Sequence, residues 1–176
     1  MSARIAWAER RFDFTFPVDF YPELIERLRG TPARLAARLE PLPAARVSRR
    51  VGGKWSMQEH AGHLADLDVG LFLPRLDDYE AGTRTLRAAD MENAATEQAG
   101  HNARPLADVL ETARAARNSV IERLERYQPA FFSRRAEHPR LGAPMRAVDM
   151  LFFQAEHDDY HLARISELIR AALTPG

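Results

Sequence analysis

Cysteine is missing altogether from the 176 residues, which removes disulfides, zinc–thiolate sites and a thiolate nucleophile. Its absence does not select a compartment, because oxidising and reducing surroundings both tolerate it. A surplus of either charge is missing too, with 25 Lys and Arg set against 25 Asp and Glu. No overall field therefore draws the chain to nucleic acid or to anionic lipid. No apolar run approaches the ~20 residues of a membrane span. Residues 1–11 are charged and lack the apolar stretch of a secretory leader. The expectation is one domain, residues 1–176, soluble and cytoplasmic, with no nucleic acid and no membrane as partner.

Several catalytic signatures are also absent. There is no His-Glu-x-x-His, no Glu-x-x-His as used by di-iron bundles, no phosphate-binding glycine loop and no serine in a nucleophile elbow.

What remains is helical periodicity in four segments. The first covers residues 21–40, with Leu24, Leu28, Leu35 and Leu39 along one face. Gly30-Thr31-Pro32 interrupts it, with Thr31 placed as an N-cap and Pro32 in a first turn. The second begins at Ser56, where Ser56-Met57-Gln58-Glu59 has the capping-box form, and Pro74 bends it near its end. The third covers residues 105–127 and the fourth residues 146–172. No strand-like alternation is sustained, so no sheet is expected. The links at residues 80–104 and 128–145 are long enough to let consecutive helices run parallel. The fold class that follows is all-α, a four-helix bundle with long crossover connections.

His157 and His161 stand four apart on the fourth segment. They are separated by about 40° around a helix axis, with Cβ atoms ~6 Å apart. Two imidazoles so placed can meet one metal at ~2.0–2.1 Å, and the wheel turns both toward the apolar sector of Met150, Ile165 and Leu168. A bland pair of histidines bonded to polar neighbours meets the same spacing. A third ligand has to come from another helix. His60 lies nearer the middle of the second segment's apolar sector, and His63 lies at its edge. His101 and His138 fall in the links and are read as solvent-facing or structural.

Asp158 falls close to the same inner sector, where it could orient a ligand histidine or pair with an arginine. Arg117 falls on the seam of the third segment, where it could receive an anionic substrate or serve as the partner of Asp158. Asp66 and Glu59 flank His63.

Gly53-Lys54-Trp55-Ser56 followed by Gly62-His63-Leu64-Ala65-Asp66 resembles the second-helix signature of DinB/YfiT-like proteins. The stretch from Ala155-Glu156-His157 to His161-Leu162-Ala163-Arg164-Ile165 resembles their fourth-helix signature, and Glu26-Arg27-Leu28 to Leu35 is similar to the first helix of some members. The resemblance implies a four-helix bundle, often a homodimer, with a metal on three histidines that map to His63, His157 and His161. His60 then stands at a position more often apolar in the family. Three histidines leave coordination positions open, so a bound water becomes more acidic and a bound thiol ionises. Zinc is favoured, and nickel, iron or manganese accept the same donors. The family's chemistry implies a metal-dependent enzyme that uses a low-molecular-weight thiol, such as bacillithiol or mycothiol, or water, for S-transfer or hydrolysis. The alternative is a non-catalytic metal-binding or stress-response module. An open metal position facing a pocket separates the two.

Overall fold

The structure, a computed structural model, describes residues 5–173. Four long helical stretches carry it. The first is α1 (Tyr21–Arg29) running into α2 (Thr31–Leu39), with a short α3 (Ala44–Val47) after them. The second is α4 (Met57–Leu67), continued through a π-helical turn, Asp68–Phe72, into α5 (Leu73–Ala81). A short α6 (Ala94–Gln98) sits in the link that follows. The third and fourth stretches are α7 (Leu106–Glu125) and α8 (Ala147–Leu173). α4 packs on α7 and α8, and α1 packs on the same two helices. No helix of the described residues is long and apolar enough to cross a membrane.

Local sequence explains the boundaries. Ser56 Oγ accepts from the Glu59 amide at 3.1 Å and the Glu59 carboxylate accepts from the Ser56 amide at 2.8 Å, so the capping box opens α4 as its sequence requires. Pro74 does not interrupt a helix. It stands at the start of α5, directly behind a π-helical turn that makes room for a residue without an N–H. The distortion lies before it, where the Leu73 amide bonds the carbonyl of Asp68, five residues back. Thr31 departs from its expected capping role, since Gly30 precedes α2 without a side-chain cap. Its hydroxyl instead donates to Asp158 at 2.7 Å.

The expectation of no sheet needs correction. β1 (Arg135–His138) and β2 (Ala143–Arg146) form an antiparallel hairpin in the second long link, and Gly142 takes a positive φ of 61° beside its turn. Burial alternates over the four residues of β1 only, too short a run to stand out as a period, and β2 contains Pro144, which argues against a strand. The hairpin also pairs with the first long link, where the Leu86 amide bonds the Glu137 carbonyl at 3.0 Å. The two links therefore come together over one end of the bundle.

The core has two apolar clusters. One gathers Leu24, Leu28, Leu76, Val120, Leu124 and Leu151, and the other gathers Leu35, Leu39, Leu64, Val109, Leu162 and Ile165. Between them, in sequence terms, every helical stretch supplies a buried polar residue: Thr31, Asp68, Arg117 and Asp158, joined by Gln154. Arg117 Nε donates to Asp68 at 2.8 Å, and its Nη1 donates to Asp158 at 2.5 Å and to the Leu28 carbonyl at 3.0 Å. Gln154 Nε2 donates to the other Asp68 oxygen at 2.7 Å. The charged groups of the layer are satisfied internally, as a buried polar network requires, and only Gln154 Oε1 is left without a partner among the described residues.

Candidate metal centre

α4 and α8 bring four histidines together. His63, His157 and His161 each offer a ring nitrogen, and these three atoms lie within 4.8 Å of one another. The nearest contact is His157 Nε2 to His161 Nε2 at 3.1 Å. Ligands ~2.0–2.1 Å from a tetrahedral ion sit about 3.3 Å apart, so this pair already has the required separation. All three residues are buried.

The outward nitrogens are held in part. His63 Nδ1 lies 3.0 Å from Thr96 Oγ1, and that hydroxyl donates to Asp66 Oδ2 at 2.7 Å. The Thr96 proton is thus committed to Asp66, so Thr96 accepts from His63 Nδ1–H and the lone pair of His63 is left on Nε2. Asp66 also takes His101 Nε2 at 2.9 Å. His101 is able to pack there because residue 62 is glycine; a Cβ at that position would stand 2.4 Å from the His101 ring. His101 and His138 are both buried, so the solvent-facing reading of these link histidines does not hold.

His60 is not in the converging set. Its Nδ1 faces His161 Nδ1 at 2.8 Å. One of these nitrogens donates and the other accepts, so a His161 that keeps its Nε2 lone pair donates from Nδ1 to His60. His157 Nδ1 is buried with no partner among the described residues, and so is Gln154 Oε1 one turn earlier.

Electrostatics favour the neutral rings. Burial lowers His60 and His63 to about 4, with a further push on His60 from Arg164. His157 and His161 are held well below the ordinary value by burial first, then His157 by His63, Arg117 and His60, and His161 by His157, His63 and His60. A neutral imidazole is the form that ligates metal. The donor set, its convergence and its protonation state all fit a divalent transition ion.

The other two candidates lie elsewhere. Asp158 is one residue from His157, yet its carboxylate is taken by Arg117 and Thr31 rather than by a histidine. Arg117 is fully enclosed between Asp68 and Asp158 and is not among the residues lining the cavity, so it is not placed to receive a substrate anion. The physical reason is shared: each is the other's counter-ion in a layer sealed by the two apolar clusters.

The triad lines a cavity of about 780 Å³. Trp55 forms one wall, with its ring 4.7 Å from that of His63, and is anchored through Nε1 to Glu97 at 2.5 Å. Trp7, on a 3₁₀ turn at Trp7–Glu9, covers the other side with its ring 4.8 Å from His157. Neither Trp7 nor Thr96 was legible as a site residue. Their segments carry no periodic pattern, and the one available sign was a link at 80–104 far longer than most connections.

A family model of the DinB superfamily matches residues 27–165. YfiT from Bacillus subtilis, described as a probable metal-dependent hydrolase with an unusual four-helix bundle topology, superposes with a TM-score of 0.75, 19% identity and 93% of each chain covered. A mycothiol-dependent maleylpyruvate isomerase superposes with a TM-score of 0.65 and 12% identity over 85% of this chain and 61% of that one. A variant of that isomerase with one histidine replaced by alanine gives the same values. No curated protein sequence matches significantly.

Proposed function

The chain belongs to the DinB superfamily, and on that premise we propose that it is a metal-dependent enzyme with one divalent ion on His63, His157 and His161, acting on a low-molecular-weight thiol or on water for S-transfer or hydrolysis. The carrying observation is that three neutral, buried imidazoles from two helices converge at the wall of an open cavity. A storage or structural site would be closed by protein groups on every side, which is why the enzyme reading is preferred to a non-catalytic module. The names of the structural neighbours, one a probable metal-dependent hydrolase and the other a mycothiol-dependent isomerase, support both branches of the reading. Zinc is the favoured ion, and assembly as a homodimer belongs to the same reading.

When bound, the ion would supply Lewis acidity that lowers the pKa of a water or thiol. The protein's own residues supply the rest. The Thr96–Asp66 pair fixes the ring of His63 and keeps its proton on Nδ1. His60 does the same for His161. Trp55 and Trp7 shield the imidazoles from bulk water on two sides.

The test is metal content per chain in tag-free protein, followed by thiol-transfer and hydrolysis assays. His63→Ala, His157→Ala and His161→Ala should each lose the metal while keeping the helical signal, because the leucine seams hold the fold. His60→Ala should still bind the metal, more weakly by about 10–100-fold through loss of the bond that orients His161. A wild-type chain that binds no transition metal, or three ligand variants that keep it, would sink the reading.

A further inference from the structure

The cavity has a second polar end, built by the region where the two long links meet. Arg75 on α5, and His138 and Arg140 from the hairpin, all line it. Arg75 is 1% exposed, which is rare for an arginine without a carboxylate partner. Its Nε and Nη2 both donate to the Arg87 carbonyl, at 3.1 and 3.0 Å, and its Nη1 faces His138 Nε2 at 3.3 Å. Arg140 donates from Nη1 to the Ala8 carbonyl at 2.8 Å, while its Nη2 is buried with no partner. Neither arginine forms an ion pair among the described residues.

His138 sharpens the deficit. The Leu141 amide points at its Nδ1 from 3.3 Å, and Arg75 Nη1 points at its Nε2. A neutral imidazole accepts at one nitrogen and donates at the other. Whichever tautomer is present, one of these contacts sets a donor against a donor. Three neighbouring side chains therefore hold more N–H groups than the protein has acceptors for, together with two guanidinium charges. The acids on the cavity wall are committed elsewhere: Asp90 accepts from the amides of Glu92 and Ala94, and Glu97 is held by Arg50 and Trp55.

We propose that Arg75, His138 and Arg140 form a subsite for the carboxylate of a substrate whose apolar body reaches from there to the histidine triad. A carboxylate offers only acceptors, two oxygens with about four lone-pair directions, which matches the surplus of donors. The connection between the two ends is apolar and short. Phe153 lies against His138, ring centres 5.0 Å apart, with the Arg140 guanidinium 5.5 Å from its ring. It stands one helical turn, about 6 Å, before His157 on α8. Leu71 and Phe72 line the same stretch. A ring or short chain bearing a carboxylate spans that length. The inference names the substrate class for the proposed enzyme and rests on that reading for the reacting end alone, since the anion end needs no metal.

Benzoate is the probe, with benzamide as its uncharged counterpart, and titration calorimetry on the full chain gives the affinities. Wild type and His157→Ala should bind benzoate equally, and benzamide should bind at least tenfold more weakly to both. Arg140→Gln, half-exposed and therefore tolerant of change, should lose at least tenfold toward benzoate, as should Arg75→Gln if its helical signal is intact. Lys54→Gln, a cation on the cavity wall outside the cluster, should be unchanged. Equal binding of benzoate and benzamide would overturn the proposal, as would equal losses in Arg140→Gln and Lys54→Gln. Inorganic phosphate displacing benzoate at equal concentration would overturn the carboxylate assignment. Loss of binding in His157→Ala with retention in Arg140→Gln would place the anion at the metal centre and refute the subsite, whereas loss of metal in His157→Ala without change in benzoate affinity leaves the two ideas independently judged.

Discussion

Replacing Arg117 by methionine removes a buried cation from the layer between the two apolar clusters. In the wild type its guanidinium makes two contacts to Asp68, at 2.8 and 3.1 Å, and two to Asp158, at 2.5 and 3.1 Å. All three residues are 2% exposed or less. Methionine fills much of the volume but leaves two carboxylates facing each other without a counter-ion. Breaking a buried pair in this way costs about 3–5 kcal/mol. At a urea dependence of ~2 kcal/mol per molar, that is a fall of about 2 M in the unfolding midpoint. Burial already pushes Asp68 up to about 6 against the pull of Arg117. Without the arginine it should rise further, so the folded variant takes up protons that the unfolded chain does not. Its deficit relative to wild type should therefore shrink as the pH falls from 7.5 toward 5. The triple variant Asp68→Asn, Arg117→Met, Asp158→Asn should recover at least half of the loss, since it has no uncompensated charge. Urea titrations followed by circular dichroism at two pH values decide the matter. A loss below ~1 kcal/mol for Arg117→Met, or a triple variant no better than the single one, would refute the account of this layer.

Thr96→Val should weaken zinc affinity by about 10–100-fold through loss of the bond that orients His63, while Asp158→Asn should lower stability and leave affinity within a few-fold; competition with a chromophoric chelator reads both. Metal-free protein should lose stability as the pH falls from ~6.5 to about 4, because His60 and His63, depressed to about 4, refuse protons that the unfolded chain accepts. Each contributes on the order of 3 kcal/mol at the bottom of that window, partly offset by Asp68, and a melting temperature flat from pH 7 to 4.5 would contradict it. Sedimentation at micromolar concentration should give a homodimer, and monomer alone would count against that expectation.

The bundle could be read because leucines at 3.6-residue spacing leave little choice of face, and the histidine pair because i and i+4 share one. Arg117 on its seam allowed either a substrate anion or Asp158 as its partner, and Asp158 is the one it meets. Its second partner, Asp68, was hidden because an acid at the end of a helical pattern is most often solvated. Thr31 read as a cap for a sound local reason, and the tertiary bond to Asp158 took its hydroxyl. The periodic seam pointed to His60 and the motif to His63; both face the site, one against the other's partner, so a wheel alone could not separate them. Arg75 and Arg140 lay beyond reach because a four-residue hairpin and a long link bring them together without any repeat in sequence.

The π-helical turn at Asp68–Phe72 has a bearing on how this stretch counts its residues. His63 and Arg75 are twelve positions apart, which on an unbroken α-helix would leave them about 120° out of alignment. One residue is taken up by the turn, so the helix advances as if by eleven, and the misalignment falls to about 20°. The two ends of the cavity can thus be served by one continuous rod. The turn also acts as a slack link: a chain lacking one residue at Val69 or Gly70, both exposed, would keep the count that brings His63 and Arg75 into phase, with Pro74 then kinking the helix. The same deletion made inside α4, between His60 and Asp66, would swing part of the site by about 100°. Length variation in this helix is therefore expected to collect at the turn, and two chains that differ there by a single residue can keep the same wall of side chains around the cavity.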